Sequence, residues 1–178
     1  GLIRRTKQEN GPDKPFFWAC QTISSHEPWE VPYHRLDNKV HNAFAYTDDC
    51  LGRFIDRLKK QPVWDNLLIV CLPDHGILYR EGGISNHNDP RVYHIPMLWT
   101  GGAVKTPAIV ETITNQTDLP ATLLAQLNLP HTEFAFSRNV LSDNYSYPFA
   151  FYTYNNALAF RDSTGLTIYS NEAGRVVT

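Results

Sequence analysis

The sequence has 178 residues, 42% hydrophobic and 12% aromatic, which is enough apolar material for the core of one globular domain and excludes a largely disordered chain. Sixteen basic and eighteen acidic residues give a formal charge of -2 without a long Lys/Arg run, so nucleic acid is not an expected partner. The longest apolar run, residues 67–72, is about a third of the roughly 20 residues that a membrane-spanning helix needs, and we expect the chain as written to be soluble.

The first predicted elements are a strand, a helix and a second strand. An apolar run at 16–23 predicts a buried strand. Apolar residues then recur at helical spacing across 37–60 and predict an amphipathic helix that ends before Pro62. Residues 67–72 are continuously apolar, as in strands buried on both faces of a parallel sheet. Two such strands joined by a helix predict a right-handed crossover.

The later elements are a third apolar segment, a short helix and a group of alternating stretches. The apolar segment at 92–99 ends before a pair of glycines. A short helix is predicted at 118–127, with Thr117 or Asp118 as its cap. The alternating aromatic stretches predict an antiparallel meander, with strands at 149–154, 157–161 and 166–169.

These elements together predict an α/β fold with a mostly parallel sheet sandwiched by helices and a small antiparallel C-terminal meander. The predicted organisation is a polar lead-in at 1–14, an α/β body at 15–130 and a β-rich tail at 131–178 packed on that body. The chain starts with Gly1 and not with Met, and we expect that a segment upstream of it has been removed.

The three cysteines do not form a recognisable framework. Cys20, Cys50 and Cys71 are odd in number and follow no CxxC spacing. Two of them fall inside apolar strand-like runs, which is typical of buried thiols. We therefore expect free, buried cysteines and no disulfides.

Three residues that follow predicted strands are candidates for a metal or phosphate site. In open α/β sheets, ligands bind beyond the carboxyl ends of the strands, where His26 and the pair Asp74 and His75 are located. If the two strands are parallel neighbours, these side chains converge, and a carboxylate with imidazoles suits Zn or Mn. A charged Asp74 directly after a buried strand must be paired, solvated or metal-bound.

Other histidines are less specific candidates. His87 lies in a polar, turn-forming stretch at 85–89 and is a possible fourth residue of the same site. Taken singly, His26 and His87 are equally explained as hydrogen-bonded loop residues. His94 is expected to make a local hydrogen bond, and no functional signal accompanies His34, His41 and His131.

Two further clusters have structural explanations. Asp48 and Asp49 are adjacent on the predicted helix, so their side chains point about 100° apart and favour a solvated face over paired acid–base chemistry. The aromatic residues of the tail could form a platform for a sugar or lipid, but alternating aromatics are typical of any half-buried strand. We therefore expect core packing for Phe149, Phe151, Tyr152, Tyr154 and Phe160.

From about residue 15 to residue 129 the chain resembles the second half of phosphoglycerol transferases of the lipoteichoic-acid-synthase type, in the alkaline phosphatase and sulfatase superfamily. The motifs that carry the resemblance are Ser24-Ser25-His26-Glu27-Pro28-Trp29, Ala45-Tyr46-Thr47-Asp48, Pro73-Asp74-His75-Gly76, Asn86-His87-Asn88, Tyr93-His94-Ile95-Pro96 and Thr117-Asp118-Leu119-Pro120. The resemblance implies an alkaline phosphatase-like fold, with an α/β sandwich around a mostly parallel sheet.

The resemblance also implies roles for four residues. Asp74 and His75 correspond to the family pair that holds a divalent metal, Mn or Zn. His26 corresponds to the histidine that meets the substrate phosphate. His87 corresponds to the histidine that joins it in substrate or second-metal binding in related phosphoethanolamine transferases. The family's Thr nucleophile and a further Glu ligand belong to a part that precedes residue 15.

The implied function is phosphoglycerol or phosphoethanolamine transfer at the cell envelope, with a phospholipid or glycan phosphodiester as substrate. The parent protein is expected to be membrane-anchored with an extracytoplasmic catalytic domain, and this chain to be inactive without its missing N-terminal half. One alternative is a sulfatase or other phosphoester hydrolase, although none of the three cysteines starts the sulfatase signature Cys-x-Pro/Ala-x-Arg. Another is a non-catalytic module that binds a glycan or lipid through the aromatic tail.

Overall fold

The computed structural model describes residues 14–177. These residues form two compact units: one contains the described chain up to Leu72 together with Met97–Pro107, and the other contains Pro73–Pro96 and the chain from Ala108 onward. The predicted lead-in lies almost wholly outside the described residues. The predicted division at residue 130 stays a prediction.

The first unit contains the predicted long helix. Helix α1 spans Lys39–Leu58. Asn38 caps its start because the side-chain oxygen accepts hydrogen bonds from the backbone N–H groups of Val40 and His41, at 2.7 and 3.2 Å. The prediction of an amphipathic helix across 37–60 is confirmed.

Asn42 fixes the chain that leads into α1. Its side chain is buried, with Oδ1 accepting from the N–H groups of Arg35 and Leu36 at 2.9 Å each. Nδ2 donates to the carbonyl oxygens of Leu36 and Asn38 at 2.6 and 3.1 Å. All the polar capacity of this buried amide is used, so it holds the turn against the helix without a desolvation penalty.

The sheet of the first unit differs from the prediction. Strand β1 (Ile69–Cys71) pairs with β2 (Leu98–Thr100) in an antiparallel register, with Val70 opposite Trp99. Among the described residues this sheet has only these two strands. The predicted mostly parallel sheet is therefore wrong, and the crossover that depended on it is not present in residues 14–177. The predicted burial on both faces is wrong as well, because Ile69–Cys71 are only half-buried. Continuous apolar character could not distinguish a parallel from an antiparallel partner.

The predicted strand at 16–23 is also wrong. The segment belongs to no helix or strand, and the side chains of Phe17 and Ile23 are each 81% exposed. An apolar run becomes a strand only when a neighbour completes its backbone hydrogen bonds. In the part of the chain that the structure describes, no strand pairs with this segment.

The third apolar segment, 92–99, is a strand only at its end. Pro90–Tyr93 forms a 3₁₀ helix, capped by the carboxylate of Asp89, which accepts from the N–H of Arg91 at 2.9 Å. Pro96 has no N–H to give to a ladder. The strand therefore begins only at Leu98.

The second unit contains the predicted short helix, α2 (Leu119–Gln126). A 3₁₀ turn, Gln116–Asp118, precedes it, and a capping box closes this turn: the Asn115 side chain accepts from the turn, and the Asp118 carboxylate accepts from the N–H of Asn115 at 2.9 Å. The helix prediction is confirmed, but the chain turns into it earlier than the predicted cap. Neither α1 nor α2, the α-helices of residues 14–177, is long and apolar enough to cross a membrane.

The C-terminal part is the predicted antiparallel meander. Strands β3 (Phe149–Tyr154), β4 (Ala157–Asp162) and β5 (Gly165–Ser170) pair in sequence order, and a short β6 (Arg175–Val176) adds a fourth strand. Ala159 on the central strand is fully buried. Two residues connect β3 to β4, and two connect β4 to β5, so the meander prediction is confirmed.

The cysteines are free, but they are less buried than predicted. Cys20 is exposed, and Cys50 and Cys71 are half-buried. The expected lack of disulfides agrees with this, while the expected burial is wrong for Cys20 because its segment forms no strand. Burial raises the pKa of the Cys71 thiol.

Candidate functional site

Asp74 and His75 form a pair in the loop that follows β1. Oδ1 of Asp74 accepts a hydrogen bond from the backbone N–H of His75 at 3.1 Å. Oδ2 of Asp74 lies 3.6 Å from Nε2 of His75, and the two side chains are 77% and 68% exposed. The pair is therefore open to solvent, with one oxygen and one ring nitrogen directed towards the same small region.

The hydrogen bond of His75 fixes which ring nitrogen is available. Nδ1 lies 2.8 Å from the carbonyl oxygen of Gly76. Because a carbonyl oxygen only accepts, Nδ1 must carry the hydrogen, which leaves the lone pair of the neutral ring on Nε2. This is the nitrogen next to Asp74. A backbone partner that sets the tautomer in this way is a common feature of metal-binding histidines.

The donor set of the pair fits a divalent metal. Ligand atoms about 2.1 Å from a tetrahedral ion are separated by about 3.4 Å, close to the 3.6 Å between Oδ2 and Nε2. A carboxylate oxygen and an imidazole nitrogen suit Zn or Mn. Among residues 14–177, however, no group of three or more His, Cys, Asp and Glu side chains is arranged to hold an ion. Asp74 and His75 could thus supply two ligands.

Gly76 permits the backbone path of this loop. A Cβ atom at this position would lie 1.7 Å from the carbonyl oxygen of Val92, whose side chain is buried. Only glycine allows this approach. Sequence reasoning included Gly76 in a motif but assigned it no role.

Gln116 contacts the same loop and was missed entirely. Its side-chain nitrogen donates to the carbonyl oxygens of Pro73 and Asp74, each at 2.9 Å. The contact spans more than forty residues of sequence. No local pattern in the sequence marks it.

His26 lies in the first unit, in a turn closed by the N–H of Trp29, which donates to the carbonyl of His26 at 2.9 Å. Nδ1 of His26 lies 2.8 Å from the carbonyl oxygen of Glu27, so its ring has the same tautomer as that of His75. The side chain is exposed. Its predicted position beside Asp74 and His75 stays a prediction.

A cleft of about 440 Å³ follows the His26 turn within the first unit. It combines aromatic, cationic and anionic side chains. The residues that line it are Trp29, Glu30, Val31, Pro32, Tyr33, His34, Lys39 and Asn42.

His87 lies in the second unit, in an exposed turn in which the N–H of Asp89 donates to the carbonyl of Asn86 at 3.3 Å. Arg91 closes this loop because Nη2 donates to the carbonyl of Gly83 at 2.8 Å and to the carboxylate of Asp89 at 2.6 Å. These hydrogen bonds from Arg91 lower the pKa of Asp89. The loop is therefore held in place, and the predicted contact of His87 with substrate stays a prediction.

The structural explanations of the other candidates hold in part. The backbone N–H of His94 donates to the carbonyl of Arg91 at 3.3 Å, while the local hydrogen bond expected of its side chain stays a prediction. Asp49 forms an exposed ion pair with Arg53 at 3.1 Å on the solvated face of α1. Phe149 stacks on Phe160 with ring centroids 5.0 Å apart, as expected for core packing. The same prediction is wrong for Phe151, whose side chain is 39% exposed.

Comparison with known proteins places these observations in a family. The family model named Sulfatase matches residues 2–129, more than two thirds of the chain. A solved structure of a protein in the alkaline phosphatase superfamily from Vibrio parahaemolyticus superposes with a TM-score of 0.81 at 25% identity. The superposition covers 98% of this chain and 43% of that one, so this chain spans less than half the length of its structural relative.

Proposed function

Because the chain belongs to the sulfatase family, we propose that it is part of a metal-dependent enzyme of phosphate or sulfate ester chemistry. More specifically, we propose a phosphoglycerol or phosphoethanolamine-type transferase that acts on phosphodiesters. The motifs around His26, Asp74 and His87 support this finer assignment. The proposal thus specifies group transfer over hydrolysis, and a phosphate ester over a sulfate ester.

The observation that carries the proposal is the pairing of Asp74 Oδ2 with His75 Nε2 at 3.6 Å. The Nδ1 contact with Gly76 leaves a lone pair on Nε2, and both side chains are open to solvent. Neither side chain is committed to a buried structural role. An exposed carboxylate and an imidazole in a fixed tautomer form a suitable half of a metal site.

In the proposed enzyme Asp74 and His75 hold the divalent metal. When bound, the metal supplies positive charge that offsets charge on the phosphoryl oxygens in the transition state. The carboxylate of Asp74 would contribute negative charge, and His75 would bind through Nε2 of the neutral ring because Nδ1 keeps its hydrogen and donates it to the carbonyl of Gly76.

His26 and His87 are proposed to orient the phosphate. The Nδ1 proton of His26 is used by the carbonyl of Glu27, so Nε2 of the neutral ring can only accept. A phosphate oxygen also only accepts. A hydrogen bond from His26 to a phosphate oxygen through Nε2 therefore requires a hydrogen on that nitrogen. The cleft next to this turn has room for the head group of a substrate.

The proposal assigns no nucleophile to residues 14–177. The resemblance that supports it places the nucleophile and an additional Glu ligand before residue 15, in a segment that we propose as the partner of this chain. The same resemblance supports an extracytoplasmic catalytic domain on a membrane-anchored parent.

The family name favours a sulfatase as the second candidate. Cys20, Cys50 and Cys71 are followed by Gln-Thr-Ile, Leu-Gly-Arg and Leu-Pro-Asp, so none of them starts the sequence from which a formylglycine nucleophile is made. Because the nucleophile is proposed to precede residue 15, the upstream reading frame decides between the two candidates: a Cys nucleophile there favours the sulfatase, and a Thr favours the phosphodiester enzyme.

The test uses the protein expressed from its complete reading frame, assayed with bis-p-nitrophenyl phosphate and with p-nitrophenyl sulfate in the presence of Mn or Zn. We expect cleavage of the phosphodiester, and a loss of at least about 100-fold in kcat for Asp74→Asn because the metal pair is broken. Asp143→Asn, which changes an exposed carboxylate in the turn closed by the N–H of Tyr145 and the carbonyl of Ser142, is the matched control and should keep full activity. Cleavage of the sulfate ester alone would contradict the proposal, as would an Asp74→Asn variant with unchanged kcat.

A further inference from the structure

The side-chain amide of Gln116 spans two successive peptide groups of the loop that carries the metal pair. Its Nε2 donates to the carbonyl oxygens of Pro73 and Asp74 at 2.9 Å each. An amide nitrogen has two hydrogens, so both are used on this loop. Fixing two neighbouring carbonyls restricts the peptide plane between Pro73 and Asp74, and with it the direction of the Asp74 side chain.

Gln116 is itself held in place from two sides. Asn115, its neighbour, donates from Nδ2 to the carbonyl of Phe151 at 3.1 Å and accepts from the N–H of Phe151, which ties the turn to β3. Asp118, at the other end of the turn, is 2% exposed and accepts from Nε of Arg138 at 2.8 Å. The amide of Gln116 therefore projects from an anchored turn.

The metal pair has few contacts of its own. The side chains of Asp74 and His75 are mostly exposed, and their hydrogen bonds connect the two residues to one another and to Gly76. After the pair, the backbone of Gly76 lies so close to the carbonyl of Val92 that no side chain would fit between them. The separation of Oδ2 and Nε2 thus depends on how the backbone of this loop is held.

We propose that Gln116 is a positioning residue for the metal pair, and this inference rests on the proposed function of Asp74 and His75. Gln116 and Gly76 hold the loop at its two ends and keep Oδ2 and Nε2 in a ligating arrangement before an ion arrives. Residues that orient metal ligands in this way typically change metal affinity by about 10- to 100-fold when they are replaced. The anchored turn thereby links the meander to the metal site.

The first measurement uses the metal-free chain. Gln116→Met keeps the length of the side chain and removes both donors, and Gln126→Met, an exposed glutamine at the end of α2, is the matched control. We expect the backbone order parameters of Asp74 and His75, from ¹⁵N relaxation, to fall from about 0.85 to below about 0.6 in Gln116→Met only. Gln116→Lys, which restores a donor, should recover the order. Unchanged order in Gln116→Met would overturn the proposal.

The second measurement titrates Zn²⁺ alone while the imidazole resonances of His75 are followed. The Zn²⁺ concentration at the midpoint of this titration should rise by at least about 10-fold in Gln116→Met and stay constant in Gln126→Met. Loss of order with an unchanged midpoint would refute the link to the metal. If His75 of the unaltered chain does not respond to Zn²⁺ even well above the roughly 100 µM limit expected for two ligands, the metal assignment under the proposed function fails, whereas the order parameters still decide whether Gln116 orders the loop.

Discussion

The carboxylate of Asp118 is buried beneath the guanidinium of Arg138, which donates to it from Nε at 2.8 Å and lies 3.6 Å from the centre of the Phe149 ring. Oδ1 also accepts from the N–H of Arg138, and Oδ2 accepts from the N–H of Asn115. A single carboxylate thus joins the turn before α2 to the start of the meander. Buried charges of this kind are tolerated because every acceptor site is used.

Removing this carboxylate should destabilise the chain strongly. Asp118→Ala leaves a partly buried guanidinium and the N–H of Asn115 without their acceptor, and we expect a loss of about 2–4 kcal/mol in the free energy of unfolding. Urea denaturation followed by circular dichroism measures it. Asp49→Ala, which breaks the exposed pair with Arg53, is the control and should cost less than about 0.5 kcal/mol. Equal effects of the two substitutions would show that Asp118 has no special role.

Two substitutions of glycine by alanine should change the stability of the chain in opposite directions. In Gly76→Ala the new Cβ would overlap the backbone carbonyl of Val92, which cannot move aside as a flexible side chain can, and we expect a cost of about 1–3 kcal/mol. In Gly52→Ala the Cβ meets nothing within 4 Å, and alanine in a helix interior should stabilise α1 by about 0.5–1 kcal/mol. Thermal unfolding of both variants tests the pair. A tolerated Gly76→Ala would show that the loop backbone has room to shift.

Metal binding by this chain alone should be weak. A catalytic metal usually has about three protein ligands, whereas the described residues pair only Asp74 with His75. We expect calorimetric titration of chelator-treated protein with Mn or Zn to show no binding tighter than about 100 µM, because two ligands leave most of the coordination shell to water. Stoichiometric binding of submicromolar affinity that Asp74→Ala abolishes would prove that the site is complete within this chain.

Proximity of His26 to Asp74 and His75 remains a prediction, and a paramagnetic ion can test it. Mn²⁺ held by Asp74 and His75 should broaden the ring resonances of His26 together with those of His75, because both are predicted to face the same phosphate. The Asp74→Ala variant controls for Mn²⁺ bound elsewhere. Broadening of His75 with an unaffected His26 would remove His26 from the site.

Asp162 should make the stability of the chain sensitive to acid. Hydrogen bonds from the Thr164 hydroxyl and then from the Tyr147 hydroxyl lower its pKa from an ordinary value of 3.8 to about 2. Between these values the unfolded chain binds the proton and the folded chain does not, so the stabilisation is complete above about pH 4 and is lost as the pH falls towards 2. Unfolding midpoints between pH 5 and 2 should therefore depend less on pH in Asp162→Asn. Parallel curves for the two proteins would contradict this assignment.

The spacing of apolar residues and the residues that end helices and strands, such as proline, determined the local elements. The helical spacing that ends before Pro62, the short helix after Asp118 and the alternation between Phe149 and Tyr154 each correspond to an element in the structure. These features depend on neighbours a few residues apart, which a sequence shows directly. The pair Asp74 and His75 was predictable for the same reason, because the two residues are adjacent and follow a strand.

Pairing between distant segments was decided only in the tertiary structure. Whether residues 16–23 form a strand, and whether β1 has a parallel or an antiparallel neighbour, depends on which backbone completes the ladder, and the apolar character of each run is the same in either case. The amide of Gln116 reaches Asp74 across forty-two positions, and the carbonyl of Val92 excludes any side chain at residue 76. Contacts of this kind leave no periodic trace, because they arise where the folded backbone brings two unrelated stretches within hydrogen-bonding distance.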